Sequence, residues 1–262
     1  MSGYRRLASR KCWCRLVEAG EKTVLISGAA RRIGRALALD LATQGWRVAI
    51  HYNVSADDAL SAVEHIERSG GRAVALSADL LEEAAVAELV DRAAAALGPV
   101  SCLINNASVF EEDTAMASSR QTWDRHMDVN LRAPFLLSQG VARQLPSGHK
   151  GNIVNIIDQR VWNLTPEFTS YTLSKVGLWG LTQILARAFA PDLRVNAVGP
   201  GPTLQSRHQT PEDFAGEWSS LPLRTPVSTD DICRGVRFIL DAPAMTGQMI
   251  ALDGGQHMGW SG

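Results

Sequence analysis

The 262-residue chain has few of the features that mark specialised classes of protein. It has only four cysteines, Cys12, Cys14, Cys102 and Cys233. Cys12 and Cys14 stand one residue apart with no histidine nearby, which excludes an ordinary zinc knuckle, and no metal site is expected. Free thiols fit a reducing compartment, so a cytoplasmic location is expected. No uncharged apolar run approaches about 18 residues, which excludes a transmembrane helix. Charge of one sign is also missing: 26 basic and 27 acidic residues leave a net charge of −1. A balance this neutral gives neither nucleic acid nor a membrane surface any electrostatic hold, and a small molecule is the expected partner. The exception is 1–20, where Arg5, Arg6, Arg10, Lys11 and Arg15 face one acid, leaving 21 basic against 26 acidic residues in the remainder. Without an apolar segment of its own, 1–20 reads as a basic, disordered extension rather than a secretory signal.

What is present is ordinary globular material, 45% hydrophobic and 20% charged, long enough to bury a core without disulfides. Neither a Pro/Gly/Ser-rich linker nor an internal repeat divides 21–262, which reads as one domain. Short β-branched apolar runs alternate with helical patterns. Strands are predicted over 23–27, 47–52, 72–77, 100–105, 152–157, 193–198 and 248–252. Between them helices are predicted over 33–44, 56–69, 82–97, 121–145, 167–190 and 230–240, with Gly45, Gly70 and Gly98 in the place of C-terminal caps. Strands that are apolar throughout are buried on both faces. The expected fold is therefore α/β: a doubly wound, seven-stranded parallel sheet of Rossmann type, with ligands at the carboxyl ends of the strands. Residues 203–229 show no clear periodicity and read as a lid or a wall of the binding site.

Four successive strand ends carry polar groups suited to a dinucleotide. The first turn is Ser27-Gly28-Ala29-Ala30-Arg31-Arg32-Ile33-Gly34. Gly28 permits the tight turn, Gly34 permits close helix–strand packing, and free amides at the helix start face a pyrophosphate. Arg32, where many such turns carry another glycine, is placed to meet a phosphate. The second strand ends in His51-Tyr52-Asn53-Val54-Ser55, without the acid that binds ribose hydroxyls in NAD sites. His51, Asn53, Ser55 and Arg32 are all hydrogen-bond donors for a 2′-phosphate, so NADP(H) is the expected cofactor. Asp79-Leu80 ends the third strand near the expected adenine, and Asn105-Asn106-Ala107-Ser108 ends the fourth near the cofactor ribose.

Tyr171 and Lys175 lie four residues apart in a predicted helix, hence on one face. A free phenol, with a pKa of about 10, is a poor acid–base catalyst at neutral pH. A neighbouring ammonium is expected to lower that value towards the working range. A binding protein that senses NADP(H) without catalysis is the alternative of another class, but it does not account for an intact pair.

Taken together, the SGAARRIG turn, Asp79-Leu80, the NNAS segment, Asn130 in MDVN, the YTLSK pair, Pro200-Gly201 and the terminal LDGG resemble the short-chain dehydrogenase/reductase family across 21–258. The resemblance implies that Tyr171 donates the proton and that Lys175 also binds the nicotinamide ribose. It also implies that Asn130 holds a helix bend and a proton-relay water, and that Pro200, Gly201 and Thr203 line the nicotinamide end. Gly28, Arg32, Ile33, Gly34, Asp79, Leu80, Asn106, Ala107 and Ser108 fall on cofactor-binding positions, and a homotetramer is implied. One departure narrows the subgroup. Asp158 stands thirteen residues before Tyr171, where the common pattern has serine. A serine hydroxyl donates to a substrate carbonyl; an ionised aspartate repels it and suits a substrate with N–H groups, or a paired Asp158–Tyr171 proton relay. With Arg32, the HY-x-x-S strand end and NNAS-x-F, this is similar to the pteridine reductases and the bacterial dihydromonapterin and dihydrofolate reductases of the same fold. In that subgroup the residue at Phe110 stacks on the pterin, and Ser108 touches ligand. Val54 departs from it, standing where those enzymes often carry arginine for the 2′-phosphate. The expected activity is NADPH-dependent hydride transfer to a pterin-like C=N bond, with Ser108, Phe110, Asp158 and Tyr171 around the substrate. Reduction of small ketones or 3-ketoacyl groups is the alternative.

Overall fold

In the computed structural model, which describes residues 22–206 and 209–259, every strand is short, and all but the two edge strands are mostly buried. The basic extension 1–20, with Cys12 and Cys14, lies outside the described residues. Strands β1 (Thr23–Ile26), β2 (Arg47–Tyr52), β3 (Ala73–Ser77), β4 (Val100–Asn105), β5 (Gly151–Ile156), β6 (Leu193–Pro200) and β7 (Met249–Leu252) form one sheet. The order is β3-β2-β1-β4-β5-β6-β7, and every neighbouring pair is parallel. The expected seven-stranded doubly wound sheet is thus the observed one. The chain winds outward from β1 to β3 and then crosses back to β4, so the strand order reverses between β1 and β4. A crevice opens there at the carboxyl ends.

Alternation along each strand feeds two cores. Val24 and Ile26 of β1 point into the layer covered by α1 (Arg32–Thr43), α2 (Ala56–Arg68) and α8 (Thr229–Asp241). Leu25 points the other way, into the layer of α3 (Glu83–Leu97), α5 (Ala133–Gln144) and α6 (Thr169–Ala188). All three side chains are fully buried, each burial contributing about 1.5–3 kcal/mol. Cys102 and Cys233 are buried in the first of these cores as free thiols.

Two expected segments differ. Instead of one helix over 121–145, α4 (Arg120–Met127) and α5 are joined by a π-helical turn, Asp128–Arg132. Asn130 sits within that turn, fully buried. Its side chain bonds the β4 loop and α6, which pulls the helix open at this point. Residues 203–229 contain a helix, α7 (Pro211–Ser219), where no periodicity was expected. It is nucleated by a reciprocal cap: Thr210 Oγ1 accepts from Asp213 N at 3.1 Å, and Asp213 Oδ2 accepts from Thr210 N at 3.0 Å.

Candidate active site

The crevice above β1 and β4 contains a cavity of about 530 Å³, a volume suited to a cofactor or small ligand. Of the positions expected to form the site, Gly28, Arg32, Ile33, Gly34, His51, Asn53, Asp79 and Leu80 line it, as do Asn106, Ala107, Ser108 and Phe110. So do Asp158, Tyr171, Lys175, Pro200, Gly201 and Thr203. Ser55 and Asn130 do not. Ser55 sits at the N-terminal cap position of α2, and Asn130 lies behind the wall. Arg31 and Arg125 also line the cavity and escaped the sequence reading.

The cofactor end is held open by two glycines. Gly28 has φ +64°, and a Cβ there would lie 2.9 Å from Ala107 Cα. A Cβ on Gly34 would lie 2.3 Å from the Gly28 carbonyl oxygen and 2.6 Å from Asn106 Nδ2. Arg32 itself takes the left-handed conformation, φ 53°, at a position usually given to glycine. Helix α1 has no side-chain cap and no acid in its first turn, so its amide dipoles are left for an anion.

Two expected donors are already engaged within the chain. His51 accepts from Gly28 N through Nδ1 at 3.0 Å, so its Nε2–H donates to Ala78 O at 3.1 Å. Burial pushes its pKa down and keeps it neutral, so His51 builds the turn and cannot donate to a 2′-phosphate. Asn106 Nδ2 likewise donates to the carbonyls of Ser27 and Gly28, both at 3.0 Å, rather than to a ribose. The guanidinium at this end comes from Arg31, held by Asp58 at 2.5 Å. Its neighbour Arg32 donates to Leu204 O and Gln205 O, tying the turn to the start of segment 203–229. Val54 is 87% exposed and contributes nothing to the wall.

At the other end Tyr171, on α6, meets Asp158 at the end of β5. Tyr171 Oη donates to Asp158 Oδ2 at 2.8 Å, while Asp158 Oδ1 accepts from Arg160 N at 2.8 Å. Lys175 Nζ donates to Ile156 O at 3.0 Å and lies 5.7 Å from the Tyr171 ring centroid. Both side chains are buried. Burial, then the charge and hydrogen bond of Asp158, push the Tyr171 pKa well above that of an ordinary phenol, with Arg160 opposing. This reverses the expectation that Lys175 acidifies the phenol. The ammonium is itself under stress: burial lowers the Lys175 pKa to about 8, with Asp158 countering. A phenol in this setting keeps its proton at neutral pH and so is present in the form a proton donor requires.

Phe110 forms the side wall. Its ring stacks on Phe168 at 4.4 Å between centroids and meets Tyr171 edge-on at 4.7 Å. Arg160 caps the stack, 5.2 Å from the Phe168 ring centroid. Trp162 packs edge-on against Trp179 and His257, and neither it nor Trp218 lines the cavity.

Comparison with known proteins gives the same picture. Residues 22–213 match the family model described as short chain dehydrogenase. The chain is 32% identical over 242 residues to the 3-oxoacyl-[acyl-carrier-protein] reductase FabG of Staphylococcus epidermidis, covering 90% of this chain and 99% of that one. Among solved structures, FolM alternative dihydrofolate reductase 1 from Brucella canis, complexed with NADP, superposes with a TM-score of 0.90 at 48% identity. That match covers 92% of this chain and 96% of that one. A short chain dehydrogenase from Burkholderia cenocepacia in complex with NADP gives 0.83 at 33% identity, over 89% and 97%. With the motifs, the sheet order and the Tyr171–Lys175 pair in place, the chain belongs to the short-chain dehydrogenase/reductase family, a family of oxidoreductase enzymes.

Proposed function

We propose that the chain is an NADPH-dependent reductase of a pterin-like C=N bond, with Tyr171 as proton donor. The observation that carries this reading is the 2.8 Å hydrogen bond from Tyr171 to a carboxylate, Asp158, in place of a second hydroxyl. A carboxylate beside the reacting atoms accepts N–H groups of a heterocycle and repels a carbonyl oxygen. The 48% identity to a FolM dihydrofolate reductase supports the same substrate class.

The cofactor fits the residues present. Gly28 and Gly34 leave the room a pyrophosphate needs against the uncapped α1 amides. Arg31, Arg32 and Asn53 offer donors on a wall whose strand end carries no acid. NADPH held there would supply the hydride that reduces the carbon of the C=N bond. Tyr171 turns its phenolic proton from Asp158 to the nitrogen and is reprotonated from water, while Asp158 accepts an N–H of the heterocycle. Lys175 stabilises the transient phenolate from one helical turn away. Phe110 supplies a flat apolar surface for the ring, and Ser108 stands beside it at the cavity edge.

A second reading, reduction of a 3-ketoacyl group or small ketone, is favoured by the identity to FabG. Initial rates of NADPH oxidation with 7,8-dihydrobiopterin and dihydrofolate, set against a panel of ketones and 3-ketoacyl thioesters, separate the two. Preference for the ketones sinks the pterin assignment.

The assembly we propose is a homotetramer. Leu131, Phe135, Leu181 and Ile184 form an apolar groove with Gly177 and Gly180 on the outer side of α5 and α6, with Ile184 63% exposed. The location we propose is the cytoplasm. Among the described residues no helix is long and apolar enough to cross a membrane.

A further inference from the structure

Phe110 and Tyr171 come from distant parts of the chain, yet their rings meet at 4.7 Å. Two buried bridges hold them. On one side of Phe110, Val109 N donates to Asn130 Oδ1 at 2.8 Å, and Asn130 Nδ2 donates to Val109 O at 2.9 Å and to Ser174 Oγ at 3.0 Å. Ser174 in turn donates to the Tyr171 carbonyl at 2.6 Å. On the other side, Glu111 N donates to His126 Nε2 at 3.1 Å, and His126 Nδ1 lies 2.7 Å from Ser170 Oγ. Ser170, the neighbour of Tyr171, donates from Oγ to Asp113 Oδ2 at 2.5 Å. His126 and Ser170 are fully buried.

The direction of this second chain is fixed by its ends. The Glu111 amide can only donate, so Nε2 must accept and Nδ1 must carry the proton. Nδ1–H then donates to Ser170, and Ser170 to Asp113, a sequence in which each bond polarises the next. The same Asp113 accepts from Ser170 N through Oδ1 at 3.1 Å, and its carbonyl accepts from Phe168 N at 2.9 Å. It thereby replaces the side-chain cap that α6 lacks, since Phe168, the residue before α6, takes the left-handed conformation.

We propose that His126 is a positioning residue that holds the Phe110 substrate platform against the proton donor, and that its protonation releases the platform. The proposal rests on the reading of Phe110 as the surface that takes the flat ring. A second proton on the imidazole would set Nε2–H against Glu111 N–H, two donors face to face, and the backbone beside Phe110 would lose its anchor. The charged groups around His126 pull in both directions. Asp113 and Glu111 favour the second proton, Arg125 and Lys175 oppose it, and burial outweighs them all, lowering the pKa below that of an ordinary histidine. Arg125 pairs with Glu111 at 2.6 Å, so their charges largely offset. The platform is therefore anchored at neutral pH and freed on the acid side.

The test compares the wild type with His126→Phe, which loses both bonds, and His126→Gln, which keeps an acceptor for Glu111 without a titrating ring. The expected result for His126→Phe is a KM for 7,8-dihydrobiopterin raised about tenfold, the scale of one lost buried hydrogen bond, at unchanged NADPH affinity. Amide exchange over 108–112 rises by a similar factor, and His126→Gln recovers most of both. In the wild type, exchange over 108–112 relative to the intrinsic rate at each pH accelerates below pH 6 while that of the central strands does not; in His126→Gln the acid acceleration is gone. If His126→Phe does not fold, the wild-type and His126→Gln exchange profiles decide alone. Wild-type exchange in His126→Phe, or the same acid acceleration with and without the imidazole, overturns the proposal. A wild type that reduces no pterin refutes the substrate assignment instead, and the exchange profiles still judge His126.

Discussion

Replacing Asp158 by asparagine keeps the volume and the acceptor for Arg160 N but removes the charge that faces Tyr171. An amide at this position presents N–H to the phenolic oxygen, so the hydrogen bond reverses and the phenolic proton loses its acceptor. The charge that would accept an N–H of the heterocycle is also lost, and hydrogen bonds to a charged partner are worth about 1.5–3 kcal/mol, which at 1.36 kcal/mol per decade corresponds to about 10- to 100-fold in rate. The loss should fall on turnover of a dihydropterin, because the carboxylate meets the substrate; NADPH affinity, set at the other end of the cavity, should change little. The Tyr171 pKa should also fall, since the carboxylate is the second cause of its elevation after burial. Stopped-flow NADPH oxidation under single-turnover conditions isolates the chemical step, and a fluorescence titration gives the cofactor Kd. Pterin turnover unchanged in Asp158→Asn, or in Asp158→Ser, would refute the role given to this carboxylate.

Gly34→Ala places a methyl group 2.3 Å from the Gly28 carbonyl, so the turn must shift; we expect a cost of about 1–3 kcal/mol and a weaker NADPH Kd, by calorimetry and titration. Lys175 titrates near 8 in the folded chain against 10.5 unfolded, so the ammonium is lost on the basic side. The unfolded chain binds more protons between those values, hence stability from this group rises with pH across about 8 to 10.5. Over the same rise kcat/KM should fall, with a limb near pH 8 that Lys175→Arg moves to higher pH. Ile184→Glu puts a charge into the apolar groove of α5 and α6 and should shift the proposed tetramer to smaller species by analytical ultracentrifugation; an unchanged sedimentation coefficient removes that face from the proposed assembly.

Strand runs such as 23–27 and 100–105 were legible because burial on both faces leaves no polar alternation to misread, and the sheet order followed from the helices between them. The glycine turn and the Tyr171–Lys175 spacing were legible for the same local reason. What sequence could not show was set by tertiary contacts. The π turn at Asp128–Arg132 depends on Asn130 reaching Val109 and Ser174, which no periodicity of 121–145 reveals. His51 reads as a phosphate donor until Gly28 N and Ala78 O are seen to hold both ring nitrogens. The sign of the Tyr171 shift was missed because Lys175 is near in sequence, whereas burial and Asp158 are brought in by folding. Helix α7 is different in kind: Thr210-Pro211-Glu212-Asp213 is a complete start signal, with proline in the first turn, and was there to be read.

The buried Tyr171 phenol keeps its proton at working pH because of its surroundings and the Asp158 carboxylate. The chain has three tyrosines, Tyr4, Tyr52 and Tyr171, so an ultraviolet tyrosinate titration can be resolved by subtracting Tyr171→Phe from the wild type. The account predicts a flat difference through pH 10, Tyr171 adding no phenolate where an ordinary phenol is half ionised. A tyrosinate signal from Tyr171 at or below neutral pH would contradict it and restore the acidified phenol expected from the lysine alone.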